Sequence, residues 1–231
     1  MKVYTIKFYF FGSKEVVPID YWDKVLSFLH GEILGKNNEY HDSISQYSIS
    51  PLFNSRTVEN GLLFDRGAIW LVRTPSIKVF KDFYLRGKNA ITKELGYGLV
   101  LKSVDFSVKE FSNITELSVG TSPIYLGQNK NSSNPDHITY KHGNDICSTL
   151  LKQTLLTKAS MLGYELNPDS IDIEFDLALP IKTKMVKISN VANIATQGSV
   201  KIVGNSDAIG LCYGLGLGVS TGCGFGFIYN V

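Results

Sequence analysis

Between Gly214 and Gly226 the chain carries six glycines, spaced as Gly216-x-Gly218, five residues, then Gly224-x-Gly226. Glycine at this density costs backbone entropy, so the segment serves positive φ angles or the close approach of another backbone. Backbone N–H groups left open beside a helix end are good donors to phosphate oxygens. An anion is therefore the ligand this stretch can hold, with Ser220, Thr221 and Gly222 at its centre. Walker and dinucleotide loops are excluded, because there is no G-x-x-x-x-G-K and no strand followed by G-x-G-x-x-G. Proton transfer near neutral pH falls to His30, His41, His137 and His142, since an imidazole titrates at about 6.5. His137 and His142 sit in a long polar stretch near Cys147, but zinc takes three or four ligands and no second pair accompanies them. No metal site and no cofactor is expected.

Positive charge gathers locally. Seven basic residues lie between Arg73 and Lys102 against only Asp82 and Glu94, and Lys182, Lys184 and Lys187 form a second run. Each cluster reads equally well as a solvated face or as part of a nucleic-acid surface. The formal net charge of +2 rules out a polycation, so any such surface must come from these clusters. Within 231 residues, 44% are hydrophobic and 19% charged, enough for one core or two small ones. Three cysteines without a C-x-x-C pattern read as buried thiols of a reducing compartment. No apolar run reaches the roughly 18 residues of a membrane span, and Met1 to Phe11 alternates like a strand rather than a signal peptide. A cytoplasmic protein without a membrane partner is expected.

The elements that must position these groups repeat. Lys2 to Phe10 alternates as a strand, Tyr21 to Leu34 has helical apolar spacing, and Gln46 to Phe53 and Gly61 to Arg73 read as strands. A helix over Ser76 to Arg86 and a strand over Gly98 to Val108 complete a βαββαβ order. The second half begins with a strand-like Ile114 to Leu126 and a long polar loop, then a helix over Asp145 to Leu162. Strands follow over Ser170 to Leu177 and Ser189 to Val203, with a ribbon over Pro180 to Lys187 between them. A short helix from Ser206 to Cys212, N-capped by Ser206 or Asp207, leads through the glycines into a terminal strand. Two tandem ferredoxin-like (RRM-like) α+β units are expected, spanning residues 1–110 and 111–231. Cys223 to Ile228 also looks like the RNP1 core of RNA-recognition domains, whose aromatics stack on bases. RNP1 belongs to an internal strand, so Phe225 and Phe227 are expected to pack inward instead.

Gly216-Leu217-Gly218, five residues, Gly224-Phe225-Gly226 closely resembles the C-terminal signature of the CRISPR-associated repeat-processing endoribonucleases, the sixth Cas family of the RAMP superfamily. Tyr40-His41-Asp42 followed by Gln46-Tyr47-Ser48-Ile49-Ser50 is similar to that family's histidine before an aromatic-Ser strand. The resemblance implies a double ferredoxin-like protein that binds the repeat of a precursor CRISPR RNA and cuts it without a metal. It implies that His41 stands at the usual catalytic histidine and His30 at a second catalytic position. Where many members carry a lysine just after the histidine, this chain has Ser45 and Gln46; Lys36 or a lysine from elsewhere would have to replace it. His30 at a helix end would equally well meet orphan carbonyls.

Attack by the RNA's own 2′-hydroxyl needs a base, an acid for the departing 5′-oxygen, and donors on the phosphate. On the resemblance, His41 and His30 supply the proton steps, giving a 2′,3′-cyclic phosphate and a 5′-hydroxyl. Gly216, Gly218, Ser220, Thr221, Gly222 and Gly224 would contact RNA, with Lys182 and Lys184 adding charge. A RAMP subunit that holds guide RNA in a CRISPR effector complex without cutting is the alternative, and a homodimer is a further arrangement the resemblance admits.

Overall fold

The computed structural model describes residues 1–35, 38–40, 43–129 and 136–229. In the first half, β1 (Lys2–Phe10) is followed by α1 (Trp22–Ser27), β2 (Ser48–Ile49), β3 (Ile69–Thr74), α2 (Ile77–Asn89) and β4 (Leu99–Glu110). The sheet runs β2-β3-β1-β4, antiparallel throughout, with Glu94–Gly96 added beyond β4. That is the ferredoxin-like strand order. Alternation puts Ile6, Phe8 and Phe10 of β1 into one core with Val25, Leu29, Trp70 and Phe83. Ser76 starts α2 by accepting a hydrogen bond from the Val79 N–H at 3.4 Å. The strand expected from Gly61 to Arg73 is divided: its later part is β3, while Gly61–Leu63 belongs to a small separate sheet, pairing with Val16–Val17 and Arg56–Val58.

The second half repeats the plan with β5 (Glu116–Gly120), α3 (Asn144–Met161), β6 (Asp172–Phe175), β7 (Lys182–Ile188), β8 (Val191–Gln197), β9 (Ser199–Val203) and α4 (Ser206–Leu215). Its sheet runs β6-β9-β5. The ribbon anticipated between β6 and β9 is the β7–β8 hairpin, and the single strand expected over 189–203 breaks at Gly198, where the Ile181 side chain packs closely. Asn205, rather than Ser206 or Asp207, caps α4, accepting from the Ala208 N–H at 2.9 Å. Ser206 is occupied with the Ile114 backbone, and Asp207 pairs with the N-terminal amine of Met1 at 3.4 Å.

The expected terminal strand is reduced to a bridge between Ile228 and Thr121. Flanking bonds from Ser122 N–H to the Phe227 carbonyl and from Tyr229 N–H to the Gly120 carbonyl seat it beside β5, at the fourth position of the sheet. Phe225 and Phe227 are buried, packing inward as expected. Among the described residues no helix is long and apolar enough to cross a membrane.

Candidate functional site

A cavity of about 990 Å³ opens between the halves, lined by His30, Tyr40, Ser43, Ser45, Lys158, Ser220 and Gly222 together with neighbours from α1, α3 and the tip of the β7–β8 hairpin. His30 reaches it because α1 does not continue as a regular helix. From Phe28 to Ile33 the backbone is π-helical, closed by a bond from the Leu34 N–H to the Leu29 carbonyl at 2.8 Å. Such turns recur where a helix must re-aim a side chain. Phe28, Leu29 and Ile33 stay in the core while His30 is left half-buried.

Asn38 orients the imidazole. Its carbonyl oxygen accepts from the Tyr40 N–H at 3.0 Å, and its amide nitrogen donates to the Gly35 carbonyl at 2.6 Å. Those two bonds fix which end of the amide is the donor, and that donor lies 3.3 Å from His30 Nδ1. Neutral His30 therefore accepts at Nδ1 and carries its proton on Nε2. His41 lies outside the described residues, as does Lys36; Tyr40 and Ser43 on either side of the histidine's place in the chain both line the cavity. Tyr40 donates its hydroxyl to Asp82 at 2.6 Å, and burial with that bond raises its phenol well above the ordinary range.

The glycine-rich segment forms the opposite wall, and most of its polar groups face inward. Gly216, Gly218, Thr221, Gly222 and Gly224 are buried, while Ser220 is exposed at φ +56°. The Gly216 N–H donates to the Cys212 carbonyl at 2.9 Å, and the Gly224 N–H to the Thr221 carbonyl at 3.3 Å. The Gly222 N–H donates to Ser45 Oγ at 3.1 Å. Thr221 donates its hydroxyl to the Tyr47 carbonyl at 3.0 Å. Ser48 adds a bond to the Gly214 carbonyl at 3.0 Å. The last three of these bonds, to Ser45, to Tyr47 and from Ser48, join the strand edge of the first half to the end of the second. A Cβ on Gly224 would lie 2.2 Å from the Trp22 ring, and one on Gly226 1.8 Å from the Leu217 carbonyl oxygen. Close approach is thus one need these glycines serve, and Val219, Ser220, Gly222 and Cys223 are what the segment presents to the cavity.

Lys158 was not singled out by any sequence motif. It is 3% exposed, and its ammonium donates to the carbonyls of Leu215 and Gly218 at 3.3 and 2.8 Å and to Thr221 Oγ1 at 3.0 Å. Burial pulls its pKa down to about 7, with the neighbouring Cys212 opposing. A signal existed: Lys158 follows Leu151 and Leu155 at seven and three residues on the buried face of α3.

The basic cluster between Arg73 and Lys102 divides. Arg73 is buried, with its guanidinium 3.9 Å from the Tyr213 ring centre and 4.2 Å from that of Phe227, and it donates to the Ile228 carbonyl. Lys78 pairs with Glu39 at 2.8 Å, Lys93 with Glu32 at 3.2 Å, and Arg86 donates to the Leu34 carbonyl at 2.6 Å. Lys182 and Lys184 are exposed on β7, on the face that also carries Val186 and Ile188. Ile188 and Ser189 at the hairpin tip line the cavity, the Ser189 N–H bound to Asp23 at 2.7 Å. His142 accepts from the Thr139 N–H at 3.2 Å, and Cys147 donates to the Thr139 carbonyl at 3.3 Å. Among the described residues no three His, Cys, Asp or Glu side chains gather as ligands.

The family model "CRISPR associated protein Cas6, C-terminal" matches residues 107–229. A solved RAMP protein binding different RNA substrates is similar over 100% of both chains, at 15% identity and a TM-score of 0.78. A Cas6-related gene product from Pyrococcus furiosus is similar over 100% of this chain and 98% of its own, at 16% identity and a TM-score of 0.78. A Cas6 product complex is similar over 100% of both chains, at 12% identity and a TM-score of 0.66. No curated protein matches the chain significantly. The solved structures share its fold over the whole length.

Proposed function

Since the chain belongs to the Cas6 family of CRISPR-associated proteins, we propose that it binds the repeat of a precursor CRISPR RNA and cuts it at one phosphodiester without a metal ion. The observation that carries this reading is the shared cavity. His30, the neighbours of His41, and Ser220 with Gly222 of the glycine-rich segment line one space, although they lie far apart in sequence.

In that space one histidine takes the proton of the 2′-hydroxyl as its oxygen attacks phosphorus. The other gives a proton to the 5′-oxygen as the P–O5′ bond breaks, leaving a 2′,3′-cyclic phosphate and a 5′-hydroxyl. In neutral His30 the free lone pair is at Nδ1, where Asn38 donates, and the proton is on Nε2, so either proton role requires the Asn38 bond to open. Ser220 and Gly222 would contact the phosphate, and Lys182 and Lys184 would meet the RNA backbone beyond the cavity.

The test is cleavage of the repeat RNA encoded beside the gene, in excess EDTA, with the product ends analysed. Wild type should give a single cut with a cyclic phosphate. His41→Ala should lower the rate by about 10² to 10⁴ while leaving binding nearly intact. Full cutting by His41→Ala would overturn the assigned role. A second reading, a guide-holding subunit that does not cut, draws on one observation: Lys158 spends its donors on the protein's own oxygens rather than on the open cavity. Tight binding with no cut would establish it.

A further inference from the structure

Beneath the wall formed by Ser220 and Gly222 lies a buried ammonium that the proposed proton transfers do not use. We propose that Lys158 is a positioning residue for RNA: protonated, it clamps Leu215 to Thr221 from below and lends the wall a positive charge, so RNA affinity is coupled to its proton. The inference rests on the reading that this cavity takes RNA.

Three features support the coupling. The three acceptors match the three N–H bonds of an ammonium, and a neutral amine can serve only two of them. Leu215 is the last residue of α4, so its carbonyl belongs to the negative end of that helix and favours a cation. Among the described residues no carboxylate pairs with Lys158, so its charge is balanced by peptide and hydroxyl dipoles alone and acts on whatever enters above.

The titratable groups around it are few. Cys212 on α4 is a thiol that burial pushes up to about 12. Cys223 in the glycine-rich segment and Tyr47 from the first half are also raised by burial. His30 and Asp23 stand across the cavity. With burial holding the lysine near neutrality, a phosphate at Ser220 and Gly222 would favour the protonated form. Reciprocity then requires the proton to favour the phosphate by the same factor.

The experiment uses the full chain carrying His30→Gln and His41→Gln, so that neither imidazole proposed for the proton transfers contributes a pH dependence, and the repeat RNA with 2′-O-methyl ribose, which cannot be cut. Affinity should fall about tenfold between pH 6 and pH 8.5, the change that a one-unit rise in the lysine pKa on binding demands. Adding Lys158→Met should flatten that curve. Because this variant can fail to fold, Lys158 is also followed in the otherwise intact protein by carbon-13 NMR of its ε-methylene. RNA should move its titration midpoint upward. An unmoved midpoint, or an equally steep affinity curve in folded Lys158→Met, would overturn the inference. If the RNA is not bound at any pH, the proposed function fails first and the inference falls with it.

Discussion

Two buried cations hold the glycine-rich end of the chain, one at each side, and they answer differently to the same burial. Arg73 reaches from β3 to Tyr213, Phe227 and the Ile228 carbonyl, and its pKa is lowered only to about 10. Lys158 reaches from α3 to Leu215, Gly218 and Thr221, and burial brings it to about 7. A guanidinium spreads its charge over a plane that aromatic faces can cover, whereas an ammonium is a compact, strongly hydrated point charge. One side of the segment therefore carries a permanent charge and the other a titratable one. The permanent side joins the two halves; the titratable side lies under the cavity.

The contrast can be broken in several places. Gly226→Ala should have the largest effect, since φ is +59° there and the new methyl would overlap the Leu217 carbonyl. A loss upward of about 3 kcal/mol in chemical denaturation is expected. A mild loss would mean that the segment yields and that neither cation clamps a rigid object. Arg73→Lys comes next, at about 2 to 4 kcal/mol from lost aromatic and hydrogen-bond contacts. It should also make stability depend on pH near neutrality, which the native arginine does not; a pH-independent loss would show that the arginine's site does not depress a lysine.

The smallest effect belongs to Lys158 itself. Its folded pKa of about 7 lies below the ordinary 10.5, so between those values the unfolded chain binds the extra proton. Stability should accordingly rise with pH from about 7 toward 10.5 as far as this group is concerned, and below 7 its contribution is constant. Thermal midpoints at pH 6.5 and 9 should converge in Lys158→Met. Parallel pH curves for wild type and variant would remove the titratable side of the contrast.

How these features read in the sequence follows from their physical origin. Alternation in β1 and apolar spacing in α3 are local, and both elements lie close to where the pattern puts them. The glycine spacing reads as a contact segment, yet the same glycines can open N–H groups to a ligand or admit a neighbouring backbone. Only the packed fold shows Trp22, Tyr125 and Ser45 against them. Asn38 was illegible because its role depends on the π-helical turn that brings His30 beside it, and no propensity encodes that turn. Lys158 was legible in part, as a lysine on an apolar stripe, but its acceptors come from the far end of α4 and beyond.

The ring of Trp22 resting on Gly224 gives the molecule an optical property. The chain has two tryptophans, and the other, Trp70, is fully buried in the first core. In a Trp70→Phe background the remaining indole emits from the face of the glycine-rich segment. Any lifting of that segment, by RNA or by loss of the lysine's proton, would let water reach the ring and shift its fluorescence to the red without an attached dye.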